Sequence, residues 1–278
     1  MNARENIAGI KRILVAIDAS PASLIALNAA AELALRYQAE LVCIYIEDIN
    51  LIRMAEIPIA MEIGHYSALL RPIDPEQIER QLRARRRWIE SILTTLGKTT
   101  NLRWTFRTSR GAISDELALA ALESDLMFLG KSGWSGRRQV GSTARRIVNQ
   151  FPTQAMILNR RLRPGTGIML MYDGSGASER ALAAAATLAD SFTPLSVLLL
   201  AADPEHALLL RADVESLATS FPRLTFHWLP YLDMQKIAHY IHGEDCEVVI
   251  SPADSGFFDA QTLITMLNDF DCAFLLVR

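Results

Sequence analysis

The sequence predicts an α/β protein made of two tandem βα units, each carrying five strands in a parallel sheet covered on both faces. Three observations carry the prediction. Ten short apolar runs alternate with helical stretches, the chain matches itself at an offset of 155 residues, and charge, proline and glycine coincide near its middle. Strands alternating with helices argue for parallel sheets, and near-continuous apolar strands fit burial on both faces.

In the first half the strand runs are RILVAI (12–17), ELVCIYI (40–46), LRWTFRT (102–108), DLMFLG (125–130) and TQAMILN (153–159). The second half repeats the order with GIMLMY (167–172), LSVLLLA (195–201), RLTFHWL (223–229), CEVVIS (246–251) and CAFLLVR (272–278). The helices between them carry end signals. In IDPEQIERQ, Asp74 suits the cap, Pro75 the first helical position and Gln77 the far side of a capping box, and Gly97 reads as the stop. Ser20 and Ser175 open helices just after an aspartate at a strand end.

The internal match lays DASPASLIALNAAAELA (18–34) over DGSGASERALAAAATLA (173–189) without a gap, with 11 of 17 positions identical. Alanine-rich helices match partly by composition, but the order of elements around them does not arise that way. The joint is RRLRPGTG (160–167), which places the expected domains at 1–162 and 163–278.

Composition narrows the classes. Half of the 278 residues are apolar, so a sizeable core is available. A net charge of −3 and a pI near 6.0 give no long-range attraction to nucleic acid or an acidic membrane. The most apolar tract, 182–202, is interrupted by Asp190 and Pro194 and does not read as a membrane span. The N-terminal segment lacks the apolar core of a secretory signal, and Cys43, Cys246 and Cys272 show no CxxC spacing. The expectation is a cytoplasmic protein with reduced, buried thiols.

The stretch GKSGWSGRRQVGSTARRIV (130–148) packs four glycines and two arginine pairs ahead of an amphipathic helix, in which Ala144, Ile147, Val148 and Phe151 fall on one face. Glycines let main-chain amides approach an anion, and a helix N-terminus adds partial positive charge. The same letters also suit a plain strand-to-helix loop.

ILVAIDASPASLIAL and MLMYDGSGASERAL at the unit starts, together with DLMFLGKSGWSGRRQVGSTARRIV and TQAMILNR, resemble the universal stress protein family in its tandem-domain form. The resemblance covers essentially the whole chain. It implies a doubly wound sheet of order 3-2-1-4-5, related to the adenine nucleotide α hydrolases, with ATP or another adenine nucleotide at the C-terminal ends of strands one and four. An open α/β sheet binds ligands where its strand order reverses, which is that place.

Residue by residue, the resemblance implies that Asp18 contacts the ribose or adenine edge and that Ile46 lines the adenine pocket. Gly130, Gly133 and Gly141 would admit phosphate to backbone amides, with Ser142 and Thr143 at the helix start. Arg137, Arg138, Arg145 and Arg146 would stand near phosphate, or equally on solvated faces. The family's loop is G-x2-G-x9-G, whereas seven residues separate Gly133 from Gly141 here. The second half keeps Asp173 but reads VVISPADSGFFDAQTLITML where the glycine loop would stand, so it is expected to hold no nucleotide triphosphate.

Other signals carry less. G-x4-G-S at 136–142 lacks the P-loop lysine, and no G-x-S-x-G elbow exists. His239, His242 and Cys246 have no evident fourth ligand, so no metal site is expected. ERQLRARRRWIE (79–90) reads as a solvated helix face. Nothing supplies a general base, nucleophile or metal cage for fast turnover, which leaves slow ATP hydrolysis at most.

The long apolar segment 49–73 has no clear period and almost no counterpart in the second half. It is expected to cover the crevice or to meet a protein partner or a second copy. The expected function is that of a stress-response or signalling protein holding an adenine nucleotide in its first unit, the alternative being a nucleotide-free interaction scaffold. Pairing through the final strands, 153–159 beside 272–278, would make the chain a pseudo-dimer.

Overall fold

Each apolar run of the first half becomes a strand because both of its faces find a helix to pack against. The computed structural model describes residues 10–57, 59–63, 70–133, 139–150, 154–163, 165–253, 255–257 and 259–278. The chain runs β1 (Arg12–Ala16), α1 (Pro21–Tyr37), β2 (Glu40–Asp48), α2 (Ile49–Ala55), β3 (Met61–Ile63), β4 (Leu70–Pro72), α3 (Pro75–Thr99), β5 (Trp104–Gly111), α4 (Ile113–Ala121), β6 (Leu126–Gly130), α5 (Ser142–Gln150) and β7 (Gln154–Leu158). It continues through β8 (Gly167–Tyr172), α6 (Gly176–Leu188), β9 (Leu195–Leu200), α7 (Pro204–Leu217), β10 (Leu224–Leu229), α8 (Met234–Gly243), β11 (Cys246–Pro252), α9 (Ala260–Asp269) and β12 (Ala273–Val277).

Ten strands form one sheet of order β10-β9-β8-β11-β12-β7-β6-β1-β2-β5. Each half therefore winds 3-2-1-4-5 with parallel neighbours. The halves join where β12 meets β7 antiparallel, with Phe274 opposite Ile157 and Leu276 opposite Ala155. One core, with Leu27, Ile89, Phe128, Tyr172 and Leu210, lies between the sheet and α1, α3, α6 and α7. The other, with Leu117, Ile147, Ile237 and Met266, lies beneath α4, α5, α8 and α9.

Helix starts follow local chemistry. The Ser20 hydroxyl accepts from the Ser23 amide at 3.2 Å, and Ser175 does the same for Ser178 at 3.2 Å, so each serine satisfies a first-turn donor. Asp74 caps α3 by accepting from the Glu76 amide at 2.9 Å, with Pro75 at the first position.

Two expectations are corrected. Gly97 does not stop α3, which continues to Thr99; Trp104 packs there so closely that a Cβ at Gly97 would lie 2.2 Å from its Nε1. The glycine makes room for an indole. The segment 49–73 is not without regular structure: it holds α2 and the two-stranded ribbon of β3 and β4, with Met61 opposite Pro72 and Ile63 opposite Leu70.

Candidate functional site

The sheet order reverses beside β1, where α1 leaves on one side and the connection after β6 leaves on the other. β1 and β6 run in register from Ile13 against Leu126 to Val15 against Phe128, so their C-terminal ends open a shared crevice. Asp18 stands there, its Oδ1 accepting from the Ser20 amide at 2.9 Å. Ala19 follows at φ 66, a left-handed conformation that an L residue adopts only at a cost. It turns the chain sharply into α1.

β6 ends in Gly130, and no other residue fits. A Cβ on Gly130 would lie 2.7 Å from both the carbonyl carbon and the Cβ of Ala22, and 2.9 Å from the Ser23 amide nitrogen. The N-terminal turn of α1 therefore rests directly on the strand. Gly133 reaches the other carboxylate oxygen, since a Cβ there would be 3.2 Å from Asp18 Oδ2. Gly141 closes the loop at its neck by donating its amide to the Lys131 carbonyl at 2.8 Å. Its α-carbon faces Gly133, whose amide nitrogen would lie 3.8 Å from an added Cβ.

Gly141 also accepts the Arg145 amide at 3.0 Å and so begins α5, without a side chain of its own to cap the first-turn amides. Ser142 is exposed and Thr143 half-buried at that helix start, while Ala144, Ile147 and Val148 are buried as the periodicity predicts. Phe151 lies outside the described residues. Asp18, Gly130, Gly133, Gly141, Ser142 and Thr143 thus share one mouth. Ile46 lies on β2, two residues beyond Ile44, which pairs with Ala16 next to the crevice.

The arginines divide. Arg137 and Arg138 lie outside the described residues. Arg145 donates to the Val140 carbonyl at 3.2 Å, and Arg146 bonds the Ser114 hydroxyl. Both of these side chains are thereby tied to protein groups.

Three nearby residues carried no motif signal. Tyr45 is buried on β2 among Asp18, Glu47 and Arg85; burial pushes its phenol above the ordinary value, Arg85 opposes, and the carboxylates of Glu47 and Asp18 push the same way as burial. Lys131 is 7% exposed, and burial holds its ammonium below the usual lysine range against the opposing pull of Asp271, Cys272 and Asp269. Asn268, on α9 of the second half, accepts the Val140 amide at 2.8 Å. No local pattern could have flagged Asn268, because its partner is 128 residues away in sequence.

The second half has a different mouth. Asp173 Oδ1 accepts from the Ser175 amide at 3.0 Å and the Ser178 hydroxyl at 2.7 Å, and Oδ2 accepts from the Ser255 hydroxyl at 2.9 Å. Burial raises its pKa, yet the bonds from Ser175, Ser178 and Ser255 prevail and hold it below the ordinary aspartate value. The protein itself occupies this carboxylate. Pro252, buried at the end of β11, stands where Gly130 stands in the first half.

Burial pushes the Cys43, Cys246 and Cys272 thiols up to about 12, so none offers a thiolate at neutral pH. Among the described residues, no three His, Cys, Asp or Glu side chains are grouped to hold a metal, and no helix is long and apolar enough to cross a membrane. A separate cavity of about 250 Å³ lies between α1, α6 and the linker, floored by Phe128, Met156, Ile168 and Val248. It is not the crevice at Asp18.

The model of the universal stress protein family matches residues 9–159. The chain belongs to the universal stress protein family. Among solved structures it is similar to a universal stress protein from Archaeoglobus fulgidus DSM 4304, with a TM-score of 0.70 and 11% identity over 95% of this chain and 97% of that one. A putative universal stress protein from Pseudomonas aeruginosa UCBPP-PA14 gives a TM-score of 0.60 and 15% identity over 97% and 94%. The cytoplasmic domain of a prokaryotic cation chloride cotransporter gives 0.57 and 11% over 96% and 95%. At these identities the likeness is one of fold. No curated protein matches the sequence.

Proposed function

We propose that this universal stress protein binds ATP or another adenine nucleotide in its first half, at the crevice between β1 and β6, and holds it without rapid turnover. In this reading residues 1–162 and 163–278 are two domains of a cytoplasmic stress-response or signalling protein, and only the first is loaded. The observation that carries it is the approach of Gly133 to Asp18 Oδ2, 3.2 Å from an added Cβ, which sets a carboxylate beside a glycine loop at the switch point. Asp18 would take the ribose or adenine edge, with Ile46 against the base. The amides of the loop and of the first turn of α5 would take phosphate oxygens, aided by the Ser142 and Thr143 hydroxyls. Slow turnover is part of the proposal because the sequence of the loop and its flanks offers no nucleophile, general-base or metal-binding motif.

The test is direct. Freshly purified protein is denatured, any released small molecule is identified by mass spectrometry, and stripped protein is titrated with ATP, ADP, AMP and cyclic AMP. Binding that Gly141→Trp abolishes supports the reading. No binding at millimolar nucleotide overturns it, and binding untouched by that substitution overturns the choice of site.

A second reading, an interaction scaffold working through 49–73, has its own observation. Ile59, Ile63 and Leu70 on or beside the ribbon are 85%, 70% and 65% exposed. Exposed apolar groups this close together mark contact surfaces. Unchanged self-association and partner capture after charged substitutions at these three positions would remove it.

A further inference from the structure

We infer that the second half acts on the first through a clasp on its glycine loop, with Asn268 as the positioning residue. The functional consequence rests on the nucleotide reading above; the clasp itself rests on geometry alone. Asn268 lies in the last turn of α9, which packs against α5. Its side chain accepts the Val140 amide at 2.8 Å, and its main-chain carbonyl accepts from Lys131 Nζ at 3.5 Å.

Lys131 and Val140 are the two sides of the loop neck. Lys131 follows Gly130, Val140 precedes Gly141, and the Gly141 amide bonds the Lys131 carbonyl between them at 2.8 Å. One residue of the second half therefore holds both strands of the neck. The Lys131 amide bonds the Leu158 carbonyl at 2.6 Å, which ties the same neck to β7 at the seam between the halves.

The charge arrangement agrees. A buried ammonium is costly unless it meets negative potential, and the C-terminal end of a helix supplies it. Lys131 points to that end of α9, with Asp269 and Asp271 close enough to oppose its desolvation. The only lysine of the loop is thus engaged by the second half.

Glycine-rich segments lose much backbone freedom when they order, and ordering the neck before a ligand arrives removes that cost from binding. Gly141 meets Lys131 across the neck, and Asn268 holds the neighbouring Val140 amide. A half that offers no glycine loop of its own thereby sets the shape of the other's.

The test uses the full chain as wild type, Asn268→Ala, Asn268→Asp and the exposed control Gln261→Ala on the same helix. Amide hydrogen exchange reads the neck and calorimetric titration reads ATP affinity. Asn268→Ala is expected to speed exchange at Val140 and Gly141 by about tenfold while β1 and β6 keep their protection. It is expected to weaken ATP by about fivefold. Asn268→Asp keeps the acceptor and should restore protection at Val140; Gln261→Ala should match wild type in both readouts. If Asn268→Ala does not fold, Lys131→Met removes the other tie and carries the same exchange readout.

Unchanged exchange at Val140 overturns the clasp, and faster exchange with ATP affinity unchanged overturns its effect on binding. Wild type that binds no ATP at millimolar concentration overturns the nucleotide reading instead, and exchange alone then decides the clasp.

Discussion

Gly130 and Ala22 touch so closely that the last residue of β6 has no room for a side chain: a Cβ would lie 2.7 Å from the Ala22 carbonyl carbon. The contact is with backbone, which cannot rotate away. Gly130→Ala should therefore lift the first turn of α1 or shift β6, destabilising the protein by about 2 kcal/mol as overpacking does. Chemical denaturation measures the loss, and a stability within experimental error of wild type would contradict the packing.

Ala19 and Gly174 hold equivalent places after β1 and β8 and share a left-handed backbone, at φ 66 and φ 77. Gly174 carries a second constraint, since an added Cβ would lie 2.6 Å from Leu210 Cδ2. Gly174→Ala should cost about 1–2 kcal/mol, the left-handed penalty for an L residue. Ala19→Gly relieves that penalty but loosens the unfolded chain, so its net effect should stay below about 1 kcal/mol. Equal losses at both sites, measured by thermal unfolding, would show that backbone conformation is not the cause.

Glu247 is 2% exposed at the start of β11, and the linker closes over it. The Arg163 amide donates to its Oε2 at 2.7 Å, the Arg163 guanidinium bonds Oε1 at 2.5 Å, and Arg160 stands 3.5 Å away. Burial pushes the carboxyl up, but these groups prevail and hold it below the ordinary glutamate value. A depressed folded pKa contributes stability that is present above the unfolded value, near about 4.3, and lost as pH falls through the folded one. Glu247→Gln should cost about 1.5–3 kcal/mol at pH 7 and flatten the decline of stability below about pH 4.5. An unaltered acid limb in the variant would show that other carboxylates set it.

Why some of this was legible in the sequence, and some was not, follows from the range of the forces involved. The central sheet strands could be read because each is a run of apolar residues that burial on two faces demands, as in LSVLLL, where every residue of β9 is buried. The starts of α1, α3 and α6 could be read because Ser20, Asp74 and Ser175 act within three residues of themselves. The ribbon of β3 and β4 could not, since three residues per strand give alternation no length to show itself. The role of Gly97 could not, because its reason is Trp104, a tertiary neighbour that outweighs the helix-ending tendency of glycine.

In the crevice Gly130 was legible, because the close approach of the α1 backbone requires glycine there. The Ser255 hydroxyl on Asp173 and the Asn268 tie to Val140 were not, because each joins segments far apart in the chain and neither residue type announces it.

In the proposed function the first half takes an adenine nucleotide and the second does not. Native mass spectrometry of the stripped full-length protein with ATP counts the bound molecules. One ATP per chain is expected, lost in Asp18→Ala and retained in Asp173→Ala. Two per chain, none, or one that survives Asp18→Ala would contradict it.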